Sequence, residues 1–445
     1  MMSSLVKVIE ESDCLGQGQK TIKFHQQQLR IAQESGDRQG EAACLNKLGM
    51  AYHSIGQYKQ AIDCYGQSLE IERELGDRSG ESRAWSNLGN AYHSLGQYQK
   101  AIKFHQHSLA IKQELGDRAG TAVSLNRLGK VCCAIGQYER AIDYYEQSLA
   151  IEREFGVSEG EDDSALRARQ LKSLQGLGIA YNALGQYQQA IEAYQQSLSI
   201  VREIGVSITQ GDSVSTTRRD SGLRFGEAAS LDGLGKAYRC LGQYQQAIDC
   251  YEQSLAIRRE IGDRTGIVTC LNNLGKAYYS LEQYQQAIDC YEQSLLMARE
   301  FDVSAGDDST LRSGEAASLS NLGNVYHFLG EYQRAIECHQ QSLSIRRELG
   351  DRTGIVVCLN KLGKACCSLG EYERAIDYYQ SSLEIARETD VSAVGYDSAL
   401  RSGEAHSLSG LANAYYCLGR CQQAIEYHQQ SLAIAREIGK CLVLQ

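Results

Sequence analysis

One stretch of text recurs along this chain, and its period constrains the fold more than any other feature. Aligned on a repeated Leu-Gly pair, units begin at Glu41, Glu81, Thr121, Gln170, Glu227, Ile267, Glu315, Ile355 and Glu404, with spacings of 40, 40, 49, 57, 40, 48, 40 and 49 residues. A self-similar period of roughly 20 to 50 residues marks a solenoid, because one such unit cannot bury its apolar face without neighbours. The basic unit is 40 residues, and four insertions interrupt the series.

The unit that starts at Glu41 shows what each repeat folds into. Leu45, Leu48, Gly49 and Tyr52 fall at i, i+3, i+4 and i+7, one face of a first helix. Gly56 breaks it. Tyr58, Ala61, Tyr65 and Leu69 then describe a second helix that ends at Gly76, a left-handed C-cap, after which Asp77 suits the next N-cap. The chain has 445 residues, with Gly 43 and Pro 0, so helices run unbroken and glycine alone punctuates. Gly49 and Ala61 are small where the two helix axes approach, and a larger side chain there would overpack the contact.

With these residues in place, a family resemblance is visible. The run Leu88-Gly89-x-x-Tyr92, followed by Gly96-x-Tyr98-x-x-Ala101, resembles the tetratricopeptide pattern. Trp85 stands at the family's aromatic position and His105 where Phe or Tyr is usual; Leu45, Leu125, Leu231 and Leu319 replace the Trp elsewhere, and the family's closing proline is missing throughout. The 40-residue period with Gly-Asp-Arg joints is similar to the long-repeat subclass of kinesin light chains, spindle-orientation adaptors and bacterial multi-repeat proteins, and the glutamine-rich, nearly identical units favour the bacterial group. The resemblance covers about residues 15 to 440. It implies an all-α fold, a right-handed superhelical α-solenoid of helix-turn-helix repeats. Residues 1–40 are expected to form a degenerate N-terminal capping repeat, with its turn at Leu15-Gly16 and with Ile22, Phe24 and Leu29 on its second helix; nine repeats fill 41–445. After the last unit only 440–445 remain, which predicts an open C-terminal face.

Composition excludes several functions. A net charge of -10 argues against nucleic acid as a partner, since phosphate contacts need clustered Lys and Arg. No window reaches the ~18 apolar residues of a membrane span, and Met1-Met2-Ser3-Ser4-Leu5-Val6-Lys7 has no signal-peptide core, so a cytoplasmic protein is expected. The 16 cysteines read as reduced thiols, and none forms a Cys-x-x-Cys pair. Cys64, Cys250, Cys290 and Cys338 repeat at one register as small buried hydrophobes. His25, His105 and His339 occupy the Tyr65 register as packing residues. Nothing matches a nucleotide loop, a nucleophile elbow or a triad, so neither enzyme activity, metal nor cofactor is expected.

A binding stripe is expected on each first helix, on the side away from the core within its own repeat. Its i and i+4 residues are Asn46/Met50, Ser86/Asn90, Asn126/Lys130, Gln175/Ile179, Asp232/Lys236, Asn272/Lys276, Ser320/Asn324, Asn360/Lys364 and Ser409/Asn413. The i+7 position adds His53, His93, Asn182, Arg239, Tyr279, His327 and Tyr416. The resemblance implies that this face lines a concave groove in which Asn and Lys hold extended peptides. Asn pairs with a peptide group through a donor and an acceptor, and Lys offers a point charge to an acidic side chain or C-terminus. The candidate peptide-binding residues are therefore Asn90, Asn126, Lys130, Lys236, Arg239, Asn272, Lys276, Asn324, Asn360, Lys364 and Asn413.

The expected function is a non-enzymatic scaffold for an acidic or extended protein segment. Two alternatives are a self-associating rod built through the C-terminal face and a sensory module acting on a separate effector. The insertions near 157–169, 206–226, 302–314 and 391–403 share the text Asp163-Ser164-Ala165-Leu166-Arg167, Asp308-Ser309-Thr310-Leu311-Arg312 and Asp397-Ser398-Ala399-Leu400-Arg401; the version from 206 to 226 has diverged. They read as helix extensions plus surface loops, either inert or a second binding edge. Ser221 after Arg218-Arg219-Asp220 is the candidate phosphorylation site among them.

Overall fold

A computed structural model describes the backbone of residues 2–155, 163–208, 216–299, 309–388 and 398–443, and the side chains of most of them. Ser221, the modification candidate, lies outside the residues whose side chains are described. Among the described residues there are nineteen helices and no strand, from α1 (Met2–Ser35) to α19 (Cys421–Val443). The chain divides into two compact units, Met1–Leu241 and Gly242–Gln445. The first holds α1 to α10 and the second α11 to α19. Within each, consecutive helices pack side by side as an all-α solenoid.

The local signals act at the joints as their chemistry requires. In the repeat made of α2 (Arg38–Ser54) and α3 (Tyr58–Leu75), Gly76 adopts φ 69° and ends α3; its N–H donates to the Arg73 carbonyl at 3.1 Å, and Asp77 N–H donates to Glu72 O at 2.9 Å. That paired closure satisfies carbonyls the helix would otherwise leave open. Asp77 then caps α4 (Arg78–Ser94), accepting from Gly80 N at 2.9 Å. At the turn within a repeat, where Gly56 has φ 78°, Glu282 takes the left-handed position between α12 (Arg264–Ser280) and α13 (Tyr284–Arg299) with φ 60°.

Packing between the two helices of a repeat rests on a ring laid over a glycine. A Cβ added to Gly49 would lie 2.6 Å from the Tyr65 ring, so the glycine makes room for an aromatic side chain, and this contact sets the helix separation. Tyr65 is 2% exposed as a result. Beside it, Ser68 Oγ donates to the Ala42 carbonyl at 3.0 Å, a bond repeated by Ser148 to Ala122, Ser294 to Val268, Ser342 to Ala316 and Ser382 to Val356. Leu48 joins this repeat to the preceding one by packing against Ile22 of α1.

Two expectations are corrected. The turn predicted at Leu15-Gly16 is absent, and α1 runs through both Gly16 and Gly18 as one helix. In the sequence, Ile9 stands 40 residues before Gly49, at the register where the other repeats carry a glycine under the ring, and a branched residue does not suit that close approach. Of the three residues placed on that helix's packed face, Ile22 is buried and Leu29 half-buried, but Phe24 is 56% exposed.

The insertions continue into helix, as their text suggests. Their distal ends lengthen the following first helices, α8 (Asp163–Ala183), α14 (Ser309–Phe328) and α18 (Ser398–Cys417). Leu166, Leu311 and Leu400 are buried there; Leu311 packs on Val268 and Ala298, and Leu400 on Val356 and Ala386. Arg312 pairs with Glu315 at 2.8 Å and Glu348 at 2.5 Å, and Arg401 pairs with Glu404 and Glu437, both at 2.6 Å. Arg38 and Arg78 of the short joints clasp Glu41 with Glu74 and Glu81 with Glu114 in the same way.

Leu48→Ala is expected to lower unfolding free energy by about 2 to 5 kcal/mol in a denaturant titration, because a buried truncation leaves a cavity between repeats. Glu282→Gly acts in the other direction. Relieving a left-handed glutamate is expected to stabilise the second unit by about 1 kcal/mol, read as a raised melting temperature.

Candidate functional site

The first-helix stripe splits into two classes of position. At i, the side chain points toward the next repeat, and its polar groups are used there. Asn272 is 5% exposed; its Nδ2 donates to Val268 O at 3.0 Å, Ser294 Oγ at 3.0 Å and Ser318 Oγ at 2.8 Å, and its Oδ1 accepts from Asn321. Asn126 Nδ2 donates to Ser173 Oγ at 2.6 Å. Asn360 Nδ2 donates to Gly403 O, and its Oδ1 accepts from Ser407. Asn46 accepts from Asn87, and Gln175 donates to Gly226 O and Ser230. Asn126, Asn272 and Asn360 therefore join repeats, and the expectation that their amides face a peptide is corrected. Stacking the next first helix over position i is what encloses it.

At i+4 the side chains stay accessible. Lys130, Lys236, Lys364 and Asn413 are exposed; Asn90, Lys276 and Asn324 are half-buried. Met50 and Ile179, at the same register, are 58% and 54% exposed, so the stripe carries apolar positions among the charges. Two of the lysines, Lys130 and Lys364, lie close enough to an i+7 histidine of the preceding repeat to act on it. Burial, followed by the charge of Lys130, lowers the pKa of His93, and burial with Lys364 does the same to His327. Both imidazoles are thereby biased toward the neutral form at neutral pH. Each also meets a tyrosine edge-on or tilted, His93 with Tyr98 at 5.6 Å and His327 with Tyr332 at 5.3 Å between ring centroids. Arg239 is half-buried in the first unit, and its charge acts on Tyr187.

Behind the stripe, the buried rings are of two kinds. His105 and His339 are each 1% exposed, and burial together with nearby cations pushes both down to about 3. The cation that follows His105 is Arg127, which donates to Ser86; after His339 comes Lys361, which donates to Ser320 Oγ at 2.9 Å and is pushed down by burial to about 8. Where the ring is tyrosine, the following first helix brings asparagine or glycine. A Cβ at Gly176 would lie 2.3 Å from Tyr145, one at Gly233 2.2 Å from Tyr194, and one at Gly410 2.3 Å from Tyr379.

This geometry, helix pairs locked by a ring over a small residue and stacked through first helices, is matched by profiles of the tetratricopeptide repeat over residues 14–74, 80–154, 226–300 and 314–388, more than half of the chain. Further repeat profiles match 173–205 and 405–438. The chain belongs to the tetratricopeptide-repeat family. Among solved structures, it is similar to a signal-transduction ATPase with numerous domains that carries a tetratricopeptide repeat sensor, from Pyrococcus horikoshii: 15% identity, TM-score 0.54, 85% of this chain and 54% of that one. It is also similar to BtubC from P. vanneervenii (19% identity, TM-score 0.44, 57% of this chain, 92% of that one) and to the apo form of RapI (15%, 0.47, 72% and 99%). No curated protein matches it in sequence.

The tetratricopeptide stack offers other surfaces that the sequence pattern did not single out. Between successive second helices lie open grooves, one of 420 Å³ between α13 and α15 (Tyr332–Glu348), where Leu296 is 60% exposed and Arg334 sits 4.0 Å over the Tyr326 ring. Phe328, 58% exposed, meets Tyr279 and Tyr284 of the preceding repeat. Both features had a signal in the text: Leu296 and Phe328 are apolar at registers where the other repeats carry small or polar residues. The fourteen described cysteines are free thiols; of the four expected to be buried, Cys250 and Cys290 are buried and Cys64 and Cys338 half-buried, and Cys240, Cys417 and Cys421 are exposed. Among the described residues, no group of three or more His, Cys, Asp or Glu is placed to hold a metal, and no helix is long and apolar enough to cross a membrane.

Asn272→Ala is expected to cost about 1 to 3 kcal/mol in chemical denaturation, because it removes three donor contacts and one acceptor from a buried network. A residue that only faced solvent would lose almost nothing.

Proposed function

We propose that this tetratricopeptide stack, a fold of the protein-interaction scaffold kind, binds an extended acidic segment of a partner protein along the i+4 and i+7 edge of its first helices. The supporting observation is the exposure of lysine at that register in a chain of net charge -10: Lys130 and Lys236 in the first unit, Lys364 in the second, with half-buried Lys276. Position i being occupied by bonds between repeats, recognition falls to these lysines and to Arg239, with Asn90, Asn324 and Asn413 as hydrogen-bonding partners for peptide groups. Exposed Met50 and Ile179 offer apolar contact to residues between the acids of a bound segment. No reacting group is called for in this role.

The test uses the full chain and fluorescent peptides rich in Asp and Glu, set against the same peptides with Asn and Gln. The acidic series is expected to bind and to weaken with salt. Lys276→Ala combined with Lys364→Ala, both in the second unit, is expected to reduce affinity about ten-fold or more, at about 1.4 kcal/mol per decade, while helical circular dichroism is unchanged. Equal binding of the neutral peptides, or an unchanged affinity in the double variant, contradicts the proposal.

A further inference from the structure

Where α12, α13 and α14 meet in the second unit, the chain departs from its repeated text at three places. Tyr279 stands at the register of His93 and His327, Phe328 at that of Ser94, and Glu282 at that of the turn glycines Gly96 and Gly330. In the first unit the corresponding contact is small and polar: His53 Nε2 and Ser94 Oγ share a hydrogen bond of 3.2 Å. In the second unit Phe328, the last residue of α14, lies against Tyr279 of α12 and Tyr284 of α13 and joins them as a third ring.

The rings form a corner. Tyr279 stands 5.8 Å from Tyr284 and 6.2 Å from Phe328 between ring centroids, at 65° and 81° to them, whereas Tyr284 and Phe328 are 4.8 Å apart at a tilt of 34°. Phe328 and Tyr284 thus make one wall and Tyr279 the other. Phe328 is 58% exposed and both tyrosines are half-buried, so the corner opens to solvent. The face of an aromatic ring carries the negative part of its quadrupole, and a cation lodged in such a corner lies within about 6 Å of more than one ring. Glu282 adds a full charge. It is exposed, and desolvation, followed by the charge of Glu282, raises the pKa of the adjoining Tyr284. Its left-handed φ of 60° is strained for any residue but glycine. Packing does not offset that strain, because a Cβ at Gly96 or Gly330 would meet nothing within 4 Å. A carboxylate kept in a strained turn beside three rings has the character of a binding group.

We propose that Tyr279, Tyr284, Phe328 and Glu282 form a seat for a quaternary ammonium group, carried by a trimethylated lysine side chain or by a free choline-type cation. The methyl groups decide the class. A quaternary ammonium has no N–H to satisfy and holds water weakly, so open ring faces and one carboxylate suffice for it, whereas a primary ammonium would give up a strong water shell for a single acceptor. The four residues offer one carboxylate, too few charged oxygens for a divalent metal. Lys276 lies one turn earlier on α12, and its charge is not among those acting on Tyr284. The seat adjoins the lysine edge but takes a charge of the opposite sign, so either reading can fail without the other.

Ligand-observed NMR and calorimetry on the full chain test this with two pairs of probes. Choline is set against the neutral alcohol in which carbon replaces its nitrogen, and a trimethyllysine peptide against the same peptide with unmodified lysine. At least one of the two quaternary probes is expected to bind saturably and about five-fold or more tighter than its own control, the tighter of the two naming the source. Phe328→Ser, which restores the residue type of Ser94, is expected to weaken that binding about ten-fold. Glu282→Gly is expected to weaken it about five-fold while raising the melting temperature, so the loss is read in a chain more stable than the parent. Circular dichroism checks that each variant keeps its helices. Absence of saturable binding by both quaternary probes, equal binding of each probe and its control, or unchanged affinity in either variant overturns the proposal.

Discussion

The fold depends on an aromatic or imidazole ring of the second helix lying over a glycine of the first. Gly49 beneath Tyr65 and Gly89 beneath His105 leave no room for a Cβ, so the helix separation is set by ring thickness and not by a pair of interlocking aliphatic side chains. From this contact follow the buried leucines on either side, the serine that bonds to a first-helix carbonyl, and the exclusion of water from the ring. Each repeat is then a thin slab, and its outer ring face is closed only by the next slab.

That closure decides which residues are available for partners. At Asn46, Asn126, Gln175, Asn272 and Asn360 the side chain at position i points at the incoming repeat, and in buried surroundings its amide finds partners there. Asn272 bonds to Ser318 and Asn321 of that repeat and to Val268 and Ser294 of its own. One turn further on, the i+4 side chain clears the neighbouring helix and reaches solvent. The same helix face thus alternates between an adhesive residue and an open one, and at two open positions Lys130 and Lys364 join burial in lowering the pKa of His93 and His327.

Period, helix pairing, caps and the buried ring register were all legible in the text, because each is a local pattern: 40-residue spacing, Gly-Asp at the joints, a ring eight residues into the second helix. The stripe was legible as a face but not as two classes of position. Asn126 and Lys130 sit on one side of the same helix, and only the placement of the next repeat distinguishes them. The Ala-Leu-Arg ends of the insertions were legible as helix extensions, but the partners of their leucines were not: Leu311 and Leu400 are answered by Val268 and Val356, more than forty residues earlier. Long-range partners of this kind leave no periodic signature. Phe328 and Leu296 did leave one, as departures from an otherwise repeated text.

The central claim is that partners are held on the first-helix edge. Amide hydrogen exchange of the full chain with and without a bound acidic peptide tests it most directly. Protection confined to the exposed edges of α6 (Arg118–Ala134), α10 (Thr216–Cys240), α12, α14 and α16 (Arg352–Leu369) is the predicted result. Protection centred on the grooves between second helices, around Leu296 and Arg334, would contradict it.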